Sequence, residues 1–318
     1  MGGSGGGGGG SGAFSGGRSA GDLQRIVRDA ENKTTVAQFE TRLSGVLGDL
    51  LAEYNGRDAD LTRQRLDAIK TALQGEVEGS FDQLFGGSVA KYTHVEGLSD
   101  VDSLVLINDT ELEGKPPDAV LSRIEKIVAS DLGNDATVSH GRMAVSIEYK
   151  DGMIVQVLPA VRSTGGHLHV PSSRGDGWSK IDPVAFTKAL TRRNQECGGK
   201  LVPTIKLAKA INGQLPENQR LSGYHMESLG IAAFRNYDGV KSTAAMLPEF
   251  FERGRELVKS PIRDSTGQSV HVDDYLGPAD SPARVAMSHV LDRIARRMRN
   301  ASAAASADQW RALFGLDR

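Results

Sequence analysis

The stretch from Leu84 to Leu106, LFGGSVAKYTHVEGLSDVDSLVL, joins two short apolar runs through a glycine turn. Apolar runs of this length between Gly, Asp and Ser residues are typical of β-strands. Side chains two residues apart on a strand share one face, so Asp100 and Asp102 present both carboxylates to one point while Val101 faces the core. Converging carboxylates are hard oxygen ligands, and they predict a site for Mg²⁺ or Mn²⁺.

The glycine turn before these aspartates suits a phosphate group. Its glycines let the backbone approach closely, and the hydroxyl of Ser88 with the amides that follow can donate hydrogen bonds to phosphate oxygens. Alone, a Gly-Gly-Ser sequence is most often an ordinary turn, and an Asp-x-Asp pair is most often a solvated strand edge. Here eleven residues, Val89 to Ser99, join the two, and the combination makes Gly87 and Ser88 candidates for nucleotide binding.

Hydrophobic periodicity changes along the chain. Residues 1–18 are rich in Gly and Ser and predict a disordered segment, and helical spacing then extends from Ser19 to Tyr54 and from Ala59 to Leu73. Strand-like runs with one amphipathic helix among them follow, and from Asp182 onward helical spacing dominates. The predicted strands are Phe81–Phe85, Val101–Ile107, Ala144–Tyr149 and Met153–Leu158; the helix among them is Pro117–Ala129; the later helices are Ala185–Arg192, Leu201–Ile211, Tyr224–Phe234, Thr243–Val258 and Ser281–Ala301.

This order of elements predicts an α+β fold with a division near residue 165. Residues 19–165 are expected to form N-terminal helices and a sheet-containing core, and residues 166–318 a mainly helical lobe. A cleft between two such lobes is a common place for a ligand.

Composition limits the partners of the chain. The formal net charge is −2 and the pI is near 6.4, so no global positive field exists that would bind a long nucleic acid. No apolar run approaches the roughly 18 residues of a membrane span, and the start of the chain lacks the pattern of an export signal. Cys197 is the only cysteine, which excludes an internal disulfide and fits a reducing compartment. We therefore expect a cytoplasmic protein without a membrane partner.

The order of these parts resembles the polymerase-β nucleotidyltransferase superfamily. Within it, the chain is most similar to the bacterial cGAS/DncV-like nucleotidyltransferases of anti-phage (CBASS-type) signalling, which are related to oligoadenylate synthetases. The resemblance implies a polymerase-β-like core, with a small mixed sheet and flanking helices, and an active site in the cleft between this core and the helical lobe. It implies that Asp100 and Asp102 bind Mg²⁺ or Mn²⁺. It further implies that the enzyme condenses NTPs, with release of pyrophosphate, into a cyclic or short linear oligonucleotide that a downstream effector senses.

The same resemblance nominates residues in the helical lobe. In such enzymes a helix carries a lysine toward the donor triphosphate, and the similar segment from Leu201 to Lys209 offers Lys209, which we favour, and Lys206; the alternative is a solvated lysine.

The segment LSGYHMESL resembles the family's helix start that faces the nucleotide. It makes Ser222 an N-cap and a nucleotide ligand, and Tyr224 a residue that stacks on a base or, alternatively, lies in the core. His225 and Glu227 are interpreted as structural. The segment Pro261–Ser269 is similar to a loop near the active site, or is only a turn.

One position departs from the family pattern. The superfamily normally supplies a third carboxylate in a segment reading apolar-Asp-apolar-apolar-Pro, and the matching segment Val155–Pro159 carries Gln156 instead. An amide oxygen can bind a metal but carries no charge, so we expect Gln156 to be a neutral third member of the catalytic site. A catalytically weak nucleotide-binding regulator is the alternative.

The register of the preceding hairpin decides whether Glu148 can replace the missing acid. If Asp151-Gly152 is a two-residue loop, Gln156 lies opposite Ile147 and Glu148 faces the other side of the sheet. We expect this register. With a three-residue loop, Glu148 would instead be expected opposite Gln156.

The remaining enzymatic alternative is transfer of a nucleotide to an RNA end, a protein or a small molecule. RNA-end enzymes usually need a basic surface, and the local candidate is the set Arg293, Arg296, Arg297 and Arg299. Such a run is more typical of a solvated helix face.

Overall fold

The predicted α+β fold is confirmed. The structure is a computed structural model that describes residues 20–55, 59–78, 82–85, 101–108, 110–172, 175–262 and 273–316. Within these ranges, helices flank a mixed sheet. The candidate residues Gly87, Ser88 and Asp100, and most of the predicted loop Pro261–Ser269, lie outside the described residues.

The helices begin where capping chemistry places them. In the second half of the chain, Asp182, Ser222, Ser242, Ser281 and Ser306 each accept a hydrogen bond from the amide three residues later. No helix among the described residues is both long and apolar enough to cross a bilayer. The helices are α1 (Ala20–Asn55), α2 (Ala59–Glu76), α3 (Pro117–Leu132), α4 (Pro183–Glu196), α5 (Leu201–Gly213), α6 (Gly223–Ala233), α7 (Thr243–Leu257), α8 (Pro282–Ala303) and α9 (Ala307–Leu313).

The strands form one sheet of order β1-β2-β5-β4-β3, and β6 and β7 extend it from β5. Strands β2 and β5 are parallel, and the other pairs are antiparallel. The predicted strands at β1, β2, β4 and β5 are present, whereas β3, β6, β7 and the short helix α9 were not predicted. The strands are β1 (Asp82–Phe85), β2 (Val101–Leu106), β3 (Ala136–His140), β4 (Val145–Tyr149), β5 (Ile154–Arg162), β6 (Leu168–Pro171) and β7 (Trp178–Ile181).

The predicted two-residue loop of the β4–β5 hairpin is wrong. Tyr149 N donates to Met153 O at 2.9 Å, which leaves three residues, 150–152, in the loop. A two-residue type I′ turn needs positive φ at both central residues, but only Gly152 has it, with φ of 85°. Gln156 consequently pairs with Ser146 rather than with Ile147.

One face of the sheet packs on α2 and α3. Alternating residues of the central strands, including Val105, Ile147 and Val155, point to this face and are buried with Leu66 of α2 and Ile124 of α3. This packing covers one side of the strands. Polar residues at alternate positions must therefore lie on the other face.

A second apolar cluster holds the helices of the C-terminal half together. It buries Phe186, Ile205, Leu229 and Phe250 from four successive helices. The second half of α1 joins it from Phe39 onward, although α1 precedes the sheet in the chain. The division of the chain at residue 165 stays a prediction.

Candidate active site

Strand pairing places Gln156 beside the second aspartate. In the parallel pair of β2 and β5, Asp102 is in register with Gln156. Neighbouring strands lie about 4.8 Å apart and paired residues share one face, so these two positions form one row on the sheet. The segment Val155–Pro159 is thereby placed next to the strand that carries Asp102.

The face that carries this row changes from polar to apolar along the strands. Ser146 lies opposite Gln156 on the other side of β5 and completes the polar row. Two residues further along each strand, Leu104 pairs with Leu158, and both join the apolar cluster formed with Val170 of β6. The polar row is therefore bounded on one side by packed apolar residues, which fixes the strands that carry it.

Glu148 does not take the place expected for a third carboxylate. It pairs with Ile154, so it shares the face of Gln156 instead of facing the other side, and it is exposed. The expectation that a three-residue loop puts Glu148 opposite Gln156 is wrong as well. Because β5 lies between β4 and β2, Glu148 is two strand spacings, about 10 Å, from the aspartate strand. Gln156, on the adjacent strand, is the direct neighbour of Asp102.

The donor types in this row fit a hard divalent cation. A carboxylate at position 102 and an amide oxygen at position 156 are the oxygen ligands that Mg²⁺ and Mn²⁺ accept. Within the residues that the structure describes, no group of three His, Cys, Asp or Glu residues could hold a metal ion. Asp100 and the side chain of Asp102 lie outside that search, so their participation stays a prediction.

Lys209, the favoured triphosphate ligand, is buried in an ion pair. Its Nζ lies 2.7 Å from Oε1 of Glu227, and the two side chains are 5% and 1% exposed. The alternative of a solvated lysine is therefore wrong for Lys209. Nζ also lies 3.6 Å from the point where a Cβ on Gly223 would stand, so the ammonium is held at the N-terminus of α6. Lys206, one turn earlier on α5, is half-buried.

Ser222 caps α6 as predicted. Its Oγ accepts from His225 N at 3.2 Å. The side chain of Asn212 fixes the approach to this cap, because it donates to Leu221 O and accepts from Leu221 N, both at 2.9 Å. Since a helix N-terminus carries partial positive charge, the exposed start of α6 beside Lys209 is suited to an anion.

Tyr224 has one covered and one open side. Its ring lies 4.6 Å from the ring of the buried Phe186, measured between centroids, and 38% of the residue is exposed. This arrangement lies between the two predicted interpretations, because the ring is packed against the core and still presents surface to solvent. Stacking on a base stays a prediction.

A polar cluster behind Ser222, buried except for Tyr275, was not found from the sequence. The hydroxyl of Tyr275 bonds to His225 Nδ1 at 2.8 Å and accepts from Ser222 N at 3.3 Å. His225 Nε2 lies 3.8 Å from Oδ2 of Asp273, which forms a 2.6 Å ion pair with Arg284. These residues are 50 or more positions from Ser222 in the chain, apart from His225 itself, so no local pattern could join them.

His225 is expected to make stability depend on pH. Burial lowers its pKa from 6.5 to about 4; the neighbouring charge of Asp273 raises the pKa, and that of Arg284 lowers it. The unfolded chain then binds a proton in a window where the folded chain does not. The free energy of unfolding should therefore fall, by up to about 3 kcal/mol from this group, as pH drops from about 6.5 to about 4. Urea midpoints between pH 4 and 7 measure the effect.

His225→Gln is the matched variant for that measurement, because Gln can still accept a bond from the Tyr275 hydroxyl but does not titrate. Its stability should change less with pH over the same window. Equal pH slopes in the parent and the variant would contradict the assignment to His225.

Three of the four arginines proposed as a basic surface on α8 have side-chain partners. Arg299 pairs with Glu252, Arg296 Nε lies 2.7 Å from Oδ2 of Asp292, and Arg293 donates to Oε1 of Gln219 at 3.0 Å. Two of these three partners are carboxylates, as expected for a solvated helix face. This weakens the case for an RNA-end acceptor.

Comparison with protein families gives one match that spans half of the chain. The model described as "Second Messenger Oligonucleotide or Dinucleotide Synthetase domain" (SMODS) matches residues 34–194. That range contains Asp100, Asp102 and Gln156 but not Lys209 or Ser222.

One curated relative and several solved structures are similar to the chain. The cyclic AMP-AMP-AMP synthase of an Acinetobacter species is 24% identical over 217 residues, which are 67% of this chain and 57% of the relative. The chain therefore spans less than two thirds of that relative's length. The CD-NTase CdnG of Bradyrhizobium diazoefficiens, solved in complex with GTP, has a TM-score of 0.62 at 16% identity, with 86% of this chain and 96% of that chain covered. Escherichia coli MS115-1 CdnC, solved with ATP, has a TM-score of 0.56 at 16% identity, with 89% and 97% covered. At such identities the structures support the fold alone.

Proposed function

This chain belongs to the family of second messenger oligonucleotide or dinucleotide synthetases, and from that premise we propose that it is a metal-dependent nucleotidyltransferase. It condenses NTPs into a cyclic or short linear oligonucleotide and releases pyrophosphate. The product acts in bacterial anti-phage defence through an effector that senses it. The Acinetobacter relative is a cyclic AMP-AMP-AMP synthase, and the two similar structures were solved with ATP and with GTP, which supports NTPs as the substrate class.

The observation that carries the proposal is the register of β2 and β5. It pairs Asp102 with Gln156 within the region that the family model matches. In the proposed site Asp100 and Asp102 bind Mg²⁺ or Mn²⁺, and Gln156 contributes a neutral oxygen ligand or hydrogen bond. When bound, the metal ions would polarise the α-phosphate and balance the charge that develops on the leaving pyrophosphate. Gly87 and Ser88 cradle the phosphates through backbone amides and the serine hydroxyl.

The start of α6 is the proposed second contact with the nucleotide. Glu227 holds the ammonium of Lys209 at this helix N-terminus, where it approaches the donor triphosphate. The hydroxyl of Ser222 accepts the cap bond from His225 N and also hydrogen-bonds to Tyr275, so its hydrogen would turn from Tyr275 to an oxygen of the triphosphate when a nucleotide binds. Tyr224 presents the open side of its ring to a base. Lys206 is the alternative lysine.

Product analysis tests the proposed function. The protein is incubated with labelled ATP, GTP, CTP and UTP and Mg²⁺ or Mn²⁺, and the products are separated by chromatography before and after nuclease P1 digestion. Oligomeric or cyclic products are expected. Labelling only of an added RNA, protein or small molecule, or binding without turnover, would overturn the proposal.

Gln156 is expected to set the metal dependence of the reaction. Gln156→Asp adds a charged ligand, so it should lower the Mg²⁺ concentration at half-maximal rate, whereas Gln156→Ala removes the oxygen and should raise it. The measurement is initial rate against Mg²⁺ concentration at saturating NTP.

Ser146→Ala is the matched control for these variants, since Ser146 lies on the same face directly opposite Gln156 on β4. It is one strand further from the aspartates and should leave the metal curve unchanged. If Gln156→Asp and Gln156→Ala both equal the parent, the side chain of Gln156 is outside the metal shell.

A further inference from the structure

We infer that Tyr275 is a nucleotide-binding residue whose ring stacks on the base of a bound NTP. The inference rests on the proposed function, because it takes the start of α6 to be part of the nucleotide site. It adds a residue outside the region that the family model matches and outside the motifs that the sequence singled out.

The Tyr275 ring is open to solvent while its hydroxyl is anchored. The residue is 54% exposed. Its hydroxyl accepts from Ser222 N at 3.3 Å and bonds to His225 Nδ1 at 2.8 Å. The His225 ring meets the tyrosine ring edge-on, at 77° and 5.8 Å between centroids. The hydroxyl end is thus fixed, while more than half of the residue is exposed.

The positions of the hydrogens in this cluster are consistent with both hydrogen bonds of the Tyr275 hydroxyl. The low pKa keeps His225 neutral at pH 7, and Ser222 N already donates to the phenol oxygen. The phenol hydrogen therefore points to His225 Nδ1, and the histidine carries its own hydrogen on Nε2, toward Asp273. The contact of Nε2 with Asp273 is longer than a hydrogen bond, so the anchor of Tyr275 rests on its bonds to His225 Nδ1 and Ser222 N.

Arg284 fixes the turn that carries Tyr275. It is fully buried, and its guanidinium bonds to Oδ2 of Asp273 and to the carbonyls of Gly277 and Val258. These bonds tie the turn that carries Tyr275 to the end of α7. A ring on a turn fixed in this way loses little conformational entropy when a ligand stacks on it.

The Tyr275 ring lies beside a site suited to phosphate, and this position fits the base of a nucleotide. Ser222, which the hydroxyl of Tyr275 touches, is followed by Gly223 beside the ammonium of Lys209, a site suited to phosphate. An NTP carries an aromatic base next to its phosphates, and an aromatic side chain beside a phosphate site offers that base a stacking surface. Tyr224, on the same exposed helix start, is a second ring of the same kind.

The test compares aromatic and aliphatic replacements at position 275. Tyr275→Phe keeps the ring, Tyr275→Leu keeps bulk without a π-face, and Tyr275→Ala removes both. Binding of non-hydrolysable analogues of the four NTPs is measured by equilibrium titration, with melting temperatures recorded alongside. Loss of stacking weakens binding by about 5- to 150-fold per base, so Tyr275→Leu and Tyr275→Ala should weaken at least one analogue about tenfold. Tyr275→Phe keeps the π-face and loses only the bonds of the hydroxyl, so it should weaken that analogue less than either.

A control variant and a turnover measurement distinguish failure of this inference from failure of the proposed function. Val240→Ala, an exposed apolar residue after α6, is the control and should bind all four analogues as the parent does. If Tyr275→Leu binds them as tightly as Tyr275→Phe, or if all three variants weaken every analogue equally, Tyr275 has no stacking role and the inference is overturned. Turnover that persists in Asp102→Asn would overturn the proposed function, whereas the binding comparison at Tyr275 does not depend on turnover.

Discussion

Product formation is expected to fall by about a thousandfold or more when Asp102 is replaced by Asn. Asparagine keeps the size of the side chain but removes the negative charge, so the site binds a divalent cation weakly and stabilises the developing phosphate charge less. A metal ion contributes several kcal/mol to such a transition state, and a loss of about 4 kcal/mol is about three orders of magnitude in rate. The measurement is pyrophosphate release together with chromatography of the product.

Glu148→Gln is the matched control for Asp102→Asn. It removes one carboxylate from the same face of the sheet, but from β4, with β5 between it and the aspartate strand. The parent rate is expected. If Glu148→Gln also abolishes product formation, Glu148 serves as the third acid in spite of its distance. If Asp102→Asn retains the parent rate, the two-aspartate site is wrong.

The strength of local patterns decided which elements could be predicted. Long amphipathic segments such as α3 and α8 were found because their apolar spacing repeats over several turns. The four-residue strands β6 and β7 were missed because they are too short to display a period, and β7 is half-buried at every position. For the same reason the seven-residue helix α9 was not recognised.

The register of the β4–β5 hairpin depends on the length of its loop, which the dipeptide Asp-Gly does not determine. The same two residues can form a two-residue turn or the end of a three-residue loop. Arg65 of α2 forms a two-pronged pair with the carboxylate of Asp151, at 2.8 and 3.0 Å, and lies over the Tyr149 ring. These contacts come from 86 positions earlier in the chain, so sequence spacing near the turn could not indicate them.

The residues of the candidate site also differ in whether the sequence could predict them. The Asp-x-Asp strand and the identity of Gln156 could be read from contiguous motifs, and the β2–β5 register agrees with that reading. The pairing of Lys209 with Glu227 spans 18 positions, and the Tyr275 cluster spans more than 50. Helical lysines are usually exposed, and only the packing of α5 against α6 and α7 makes this one an exception.

The Arg284–Asp273 pair joins the cluster behind Tyr275 to the core of the helical half. Both side chains are fully buried, and Asp273 also accepts two bonds from Ile262 N, at 3.2 Å each. Arg284 additionally donates to backbone carbonyls at the end of α7 and in the turn before α8. One guanidinium therefore compensates a buried carboxylate and several buried carbonyls, which a lysine ammonium cannot do with the same geometry.

Replacing Arg284 by Met should lower the free energy of unfolding by about 3–5 kcal/mol, because it leaves the charge of Asp273 buried without its partner. Urea unfolding followed by circular dichroism measures the change. Arg299→Met is the matched control: Arg299 lies on the same helix and pairs with Glu252 at the surface, where such a pair contributes about 1 kcal/mol or less. Arg284→Lys should fall between the two. Equal, small losses for Arg284→Met and Arg299→Met would mean that the buried pair does not hold this part of the fold together, and the support assigned to Tyr275 would be lost with it.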